Sequence, residues 1–267
     1  MIELPMPPPE IPQDTPKLPW LPRVRVRLPG LDLATCLVVL LVGIHWGVEQ
    51  AGGPRHVPEL FIHLGLSWSG VKQWQVWQIL SYALLHGSWF HLLINVLMLW
   101  LIGGRVIHIL GQQAWVRVVV CGVAVGGFLH LLTSVVMLAN GYQELRLVGI
   151  SGACCALLIT LTTLSPESKM WPVPVSGKTL GIGIIVAEGL LWLLTPALGI
   201  PGLSTMGETL EVWGGEALFL VSHACHFGGA LTGWWLARKL LAPTPSLADL
   251  QQMRAKRERD IGIDGAG

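Results

Sequence analysis

The stretch "LVGISGACCAL", residues 147–157, carries a serine pinned between two glycines at the start of an apolar run, Gly149-Ile150-Ser151-Gly152. From Ser151 the run continues to Leu164 and stops at Ser165-Pro166. As a helix those fourteen residues cover about 21 Å at 1.5 Å per residue. That falls about 10 Å short of a bilayer's hydrocarbon thickness. If the C-terminal end reaches one surface, Ser151 lies below the other, and residues 145–150 dip into the membrane as non-helical chain. Irregular backbone at that depth survives only where protein buries it or water fills a cavity. Ser151 is therefore expected on the floor of a wet cavity, at a helix N-terminus. Free N–H groups and the positive dipole end favour an anion there.

The rest of the chain agrees with a membrane setting. Hydrophobic residues make up 52% and charged residues only 12% of the 267, and mean hydropathy is +0.59. A soluble domain carries roughly 25% charge, so the expected class is an all-α polytopic membrane protein. A net charge of +1 gives no basic face for nucleic acid. All five cysteines lie in apolar runs, which argues against a disulfide framework. The proline-rich leader lacks the short basic start of a secretory signal, so none is expected.

Six apolar runs reach or approach spanning length, at about 33–49, 88–107, 113–138, 148–164, 179–198 and 215–237. Residues 1–30 read as a disordered tail, 31–241 as a six-span membrane domain, and 242–267 as a soluble tail. With six spans both termini share a side. Only Arg55, Lys72 and Arg146 of the seventeen Lys and Arg then fall opposite. That bias predicts cytoplasmic termini in a multi-pass protein of the cell (inner) membrane. The external segment 51–87, with Trp68, Trp74 and Trp77, is expected partly in the outer interface. The glycine-bearing loop 199–214 is expected to act as a lid.

A serine needs a base to become a nucleophile. "SHACHFGGALTG", residues 222–233, offers His226, followed by Gly229 and Gly233 at small-xxx-small spacing. Gly152, Ala153 and Ala156 form a matching small surface, which would allow the close approach that a serine–histidine hydrogen bond requires. "HGSWFHLLIN", residues 86–95, places His91 and Asn95 four apart on one helical face. Both can donate side-chain hydrogen bonds to an oxyanion.

These three pieces, in this order, resemble the rhomboid family of intramembrane serine proteases over residues 75–240. The matching patterns are His91-x-x-x-Asn95, Gly149-x-Ser151-Gly152, and His226 ahead of Gly228-Gly229. The resemblance implies a six-helix rhomboid-like bundle with a Ser151/His226 dyad and no third acidic member. It also implies an oxyanion hole from His91, Asn95 and the Ser151 amide, with His86 holding water nearby. In the implied mechanism, neutral His226 deprotonates Ser151, which attacks a peptide bond in a transmembrane protein substrate near its outer end. The substrate would enter between the second and fifth spans. No cofactor or metal is implied. The chain departs from the family pattern at Cys155, commonly a tyrosine that packs on the histidine, at Gln78 after Trp77, and at Ile107.

Plainer readings compete at each residue. Ser151 could be a packing residue, His226 a satisfied core histidine, and His91 and Asn95 interhelical links. His45, His130 and His223 receive no catalytic role, and Cys154 and Cys155 read as small hydrophobes. Glu188, in the fifth run, is a functional candidate by depth alone. It has no place in the family pattern and is expected to be protonated or paired with a buried histidine. The rival functions are an inactive rhomboid-like escort of client proteins, and a metal- or haem-binding protein using His86, His91, His223 and His226. The second rival lacks His-Glu-x-x-His and any carboxylate expected beside those histidines. A transporter, resting on Glu188 and broken spans, is a weaker third.

Overall fold

A computed structural model describes residues 32–169, 174–215 and 217–241, with a few positions between 251 and 257. The leader 1–30 and most of 242–267 lie outside the described residues. The framework is helical, and among the described residues the only β pairings are two isolated bridges. The helices that build the site are α1 (Leu33–Gln50), α2 (Trp89–Leu110), α3 (Gln112–Ala139), α4 (Ser151–Leu164), α5 (Gly177–Leu193) and α6 (His223–Leu241).

Their starts follow from local capping. Asp32 accepts the Thr35 N–H at 2.7 Å to open α1, Ser88 accepts the His91 N–H at 3.2 Å in α2, and Ser176 accepts the Thr179 N–H at 3.2 Å in α5. A wide π turn at Leu99–Gly103 interrupts α2. Two expected boundaries move. The fifth run continues past Leu193 in hydropathy, but Pro196 cannot extend the helix, and Pro196–Leu198 form a separate 3-10 turn. The sixth run begins at 215 in composition, whereas α6 begins at His223. Ser222 caps it there, accepting the Cys225 N–H on its hydroxyl at 3.3 Å, and Ala217–Leu220 is a separate turn of helix. The expected lid 199–214 is mostly ordered as a helix, Leu203–Gly214.

Among the described residues, only α1, α2 and α3 are long and apolar enough to cross a membrane by length and hydropathy, with α4 a shorter apolar helix. The chain is thus a helical membrane protein. Apolar side chains such as Phe90, Leu93, Phe128 and Ile182 lie exposed on the outer faces, where a lipid solvent leaves them at no cost.

The interior is built from small residues. α6 packs most extensively on α4 and α3. A Cβ placed on Gly229 would fall inside the Gly152 carbonyl oxygen, and one on Gly233 inside the Ala156 carbonyl. A Cβ on Gly126 of α3 would sit 2.7 Å from the Cys225 carbonyl oxygen. Backbones this close gain dispersion contacts that larger side chains would block, which is how helices associate where no hydrophobic effect drives them together.

The segment 51–88 folds over one end of the bundle as short helices, including Pro58–Leu64, Trp68–Lys72 and Gln78–Ser81. Gln78 is fully buried, and organises this segment. Its carbonyl oxygen accepts the Ser67 N–H at 3.1 Å, and its amide donates to Ile62 O at 2.9 Å. Leu66 and Leu147 exchange backbone hydrogen bonds of 3.0 and 2.9 Å, joining the segment to the chain that enters α4. Arg146 reinforces that seam by donating to Ile62 O, Gly65 O and the Ser67 hydroxyl at 3.0, 3.1 and 2.9 Å. The Glu144 carboxylate accepts from the Trp68 and Ser69 amides at the start of a short helix.

Candidate active site

Residues 145–150 are non-helical before α4, as the short apolar run requires. Gly149 has φ +107, a conformation that L side chains rarely adopt, and its N–H donates to Tyr82 O at 3.0 Å. A Cβ there would lie 2.6 Å from the His91 ring. Glycine therefore serves two ends at this position: it permits the turn into α4, and it lets the His91/Asn95 face of α2 close over the turn.

Ser151 is the first residue of α4, and the Ser151 hydroxyl is 2.8 Å from His226 Nε2 on α6. The small residues at the α4–α6 crossing bring the two side chains within reach. Asn95 is buried, and its Nδ2 has no hydrogen-bond partner among the described residues. A donor left idle in a buried position costs free energy unless something else uses it. His91, Asn95, Ser151 and His226 line one cavity of about 420 Å³ together with Thr133, Arg146, Trp192 and His223.

The other histidines separate by role. His130 bridges the Ser222 hydroxyl at 2.9 Å and Leu145 O at 3.0 Å, tying the α6 cap to the chain before Ser151. His45 is buried against the Trp89 ring, with centroids 4.6 Å apart. His86 lies outside the helices, with its ring 5.0 Å from that of His91. Burial, assisted by the neighbouring His91 and His45, pushes His86 down to about 3, so the ring is neutral at physiological pH. Neither of its ring nitrogens has a partner among the described residues.

Glu188 departs from the sequence reading. Its carboxylate lies between two histidines of α6, with Oε2 2.8 Å from His223 Nδ1 and Oε1 3.2 Å from His226 Nδ1. The expected pairing with a buried histidine is present, but it involves two of them, and one is His226. The expectation that no carboxylate lies beside these histidines does not hold. Ligand atoms of Glu188, His223 and His226 fall within 4.8 Å of one another, close enough to suggest a metal trio. However, four ligands at about 2.0 Å around zinc stand roughly 3.3 Å apart. The 2.8 Å contact is shorter than that, and has hydrogen-bond length. In sequence, the only signal for this cluster was an isolated acid in an apolar run.

A helical membrane protein that brings a serine hydroxyl and an imidazole together in one internal cavity defines the class to which this site belongs. The rhomboid domain matches residues 73–243, well over half the chain, and the chain belongs to the rhomboid family. Among its relatives, the rhomboid protease GlpG of Enterobacter sp. (strain 638) is 27% identical over 196 residues, 70% of this chain and 60% of that protein. The mitochondrial presenilin-associated rhomboid-like protein of Mus musculus is 30% identical over 151 residues, 56% of this chain and 34% of that protein. The human counterpart is 29% identical over the same length. The chain thus spans about a third of the mitochondrial relatives it matches.

Proposed function

We propose that this protein is an intramembrane serine endopeptidase that cuts transmembrane segments of other membrane proteins near the outer face. The observation that carries the reading is the 2.8 Å approach of Ser151 Oγ to His226 Nε2 inside the cavity. Family membership supports it, because GlpG is named a protease. In this reading α1 to α6 make six crossings, and the lysine and arginine bias puts both termini in the cytoplasm of a cell-membrane protein.

His226, neutral, accepts the Ser151 proton at Nε2 as the serine oxygen attacks a peptide carbonyl. The oxyanion is met by the Ser151 amide, Asn95 Nδ2 and the His91 ring. His226 then protonates the departing amine. Water from the cavity, deprotonated by the same imidazole, then attacks the acyl carbon, and His226 returns that proton to Ser151 Oγ as the ester bond breaks. Polar groups in the cavity wall, among them Thr133, Arg146 and His223, hold water on that side.

The intact serine–histidine pair disfavours an inactive client-binding protein of the same fold. The deciding assay reconstitutes the full chain in liposomes with a generic transmembrane substrate and compares it with Ser151→Ala. Product from the wild type alone is expected, and equal product from both would overturn the proposal. Asn95→Ala is expected to lower kcat about 10²–10³-fold with little change in KM, since the donor acts on the transition state.

A further inference from the structure

We propose that Glu188 is a positioning residue for His226, and that His223 holds the Glu188 carboxyl group in place. The inference rests on the Ser151/His226 reading and adds a third and fourth member to it. All four groups are linked by hydrogen-bond distances running from Leu218 O through His223, Glu188 and His226 to Ser151.

Proton bookkeeping along this chain fixes the tautomer of the base. Leu218 O, a backbone carbonyl 2.8 Å from His223 Nε2, can only accept, so His223 carries a proton on Nε2. The 2.8 Å contact between His223 Nδ1 and Glu188 Oε2 needs one further proton, on the ring or on the carboxyl. Whichever group holds it, the pair is neutral as a whole, which removes the cost of a lone carboxylate among apolar helices. Glu188 Oε1 remains an acceptor, and His226 Nδ1–H donates to it at 3.2 Å. With its proton on Nδ1, His226 presents a free lone pair at Nε2 to the Ser151 hydroxyl. That is the tautomer a general base requires.

Among the described residues no other group hydrogen-bonds His226 Nδ1. Without Glu188 the ring can turn, or carry its proton on Nε2, and in either state it cannot accept from serine. Cys155 offers no aromatic ring to hold the imidazole by packing. A hydrogen bond from α5 does that work instead.

The test uses the full chain in bicelles, with kcat and KM on a transmembrane substrate, melting temperature, and 15N spectra of the histidine rings. Glu188→Leu is expected to lower kcat about 10²–10⁴-fold, the usual worth of a general base, with KM little changed. Glu188→Gln should keep a tenth or more of kcat. Its amide NH2 can donate to His223 Nδ1 while its oxygen still accepts from His226. In Glu188→Gln/His223→Leu nothing orients the amide, and kcat should fall to the Glu188→Leu value.

The 15N spectra should show His226 protonated at Nδ1 in the wild type and in Ser151→Ala, and a mixture of tautomers in Glu188→Leu. A folded Glu188→Leu with wild-type kcat, or a wild-type His226 protonated at Nε2, would overturn the proposal. If Glu188→Leu does not fold, the wild-type spectrum and the Glu188→Gln pair decide it. The spectra do not depend on cleavage. A wild type no more active than Ser151→Ala, yet with the Nδ1–H tautomer, would fail the protease reading and leave the Glu188–His226 bond standing.

Discussion

Ser151→Ala, His226→Ala and the double variant are expected to share one residual rate, on the order of 10⁴–10⁶-fold below the wild type. The 2.8 Å bond is the reason. A hydroxyl without its base is a poor nucleophile, and a base without its hydroxyl has no proton to take. Removing either part therefore removes what the pair does together. The residual rate belongs to binding and to the oxyanion donors, which all three variants keep. Turnover measured under substrate excess in liposomes checks this. A double variant slower than the wild type by the product of the two single losses would mean that the two residues act separately.

Gly229→Ala is expected to cost more than 10²-fold in kcat and several degrees of melting temperature. A methyl there falls inside the Gly152 carbonyl oxygen, which is backbone and cannot rotate away. α6 must move off α4 by an ångström or so, and overpacking of this kind typically costs about 1–3 kcal/mol. His226 lies one turn before Gly229 on α6, and Gly152 follows Ser151 on α4, so that displacement opens the hydrogen bond between them. A misplacement of about 1 Å can lower a rate by 10²-fold. Gly183→Ala on α5, where a Cβ meets nothing within 4 Å, should leave both quantities unchanged. A Gly229→Ala protein with wild-type kcat and melting temperature would show that the helices are not this close.

The parts of the site that the sequence made legible were those written in local chemistry. The start of α4 could be read because Gly149 and Ser151 announce a turn into a helix, and its end because Ser165-Pro166 stops it. The approach of α6 to α4 could be read from the spacing of Gly229 and Gly233. Hydropathy misled where it continued through a break: Thr195-Pro196 ends α5 inside an apolar run, and residues 215–221 look like span but precede the cap at Ser222. The segment 199–214 looked like a lid because of its glycines. Gly207, however, faces the Leu194 carbonyl at a close contact and sits within a helix. The Glu188 link was out of reach. The carboxyl and its two histidines are thirty-five and thirty-eight residues apart, and no period or pattern says which face of α5 turns toward α6.

In the proposed reading the reacting pair is split between α4 and α6, and that division has a consequence for biogenesis. While the chain is being made, α1 to α5 reach the bilayer with a hydroxyl and no partner for it. In the proposed reading, a half-inserted chain is harmless to the membrane segments around it in the translocon. Competence arrives only when the final helix docks, so assembly itself serves as the safety catch.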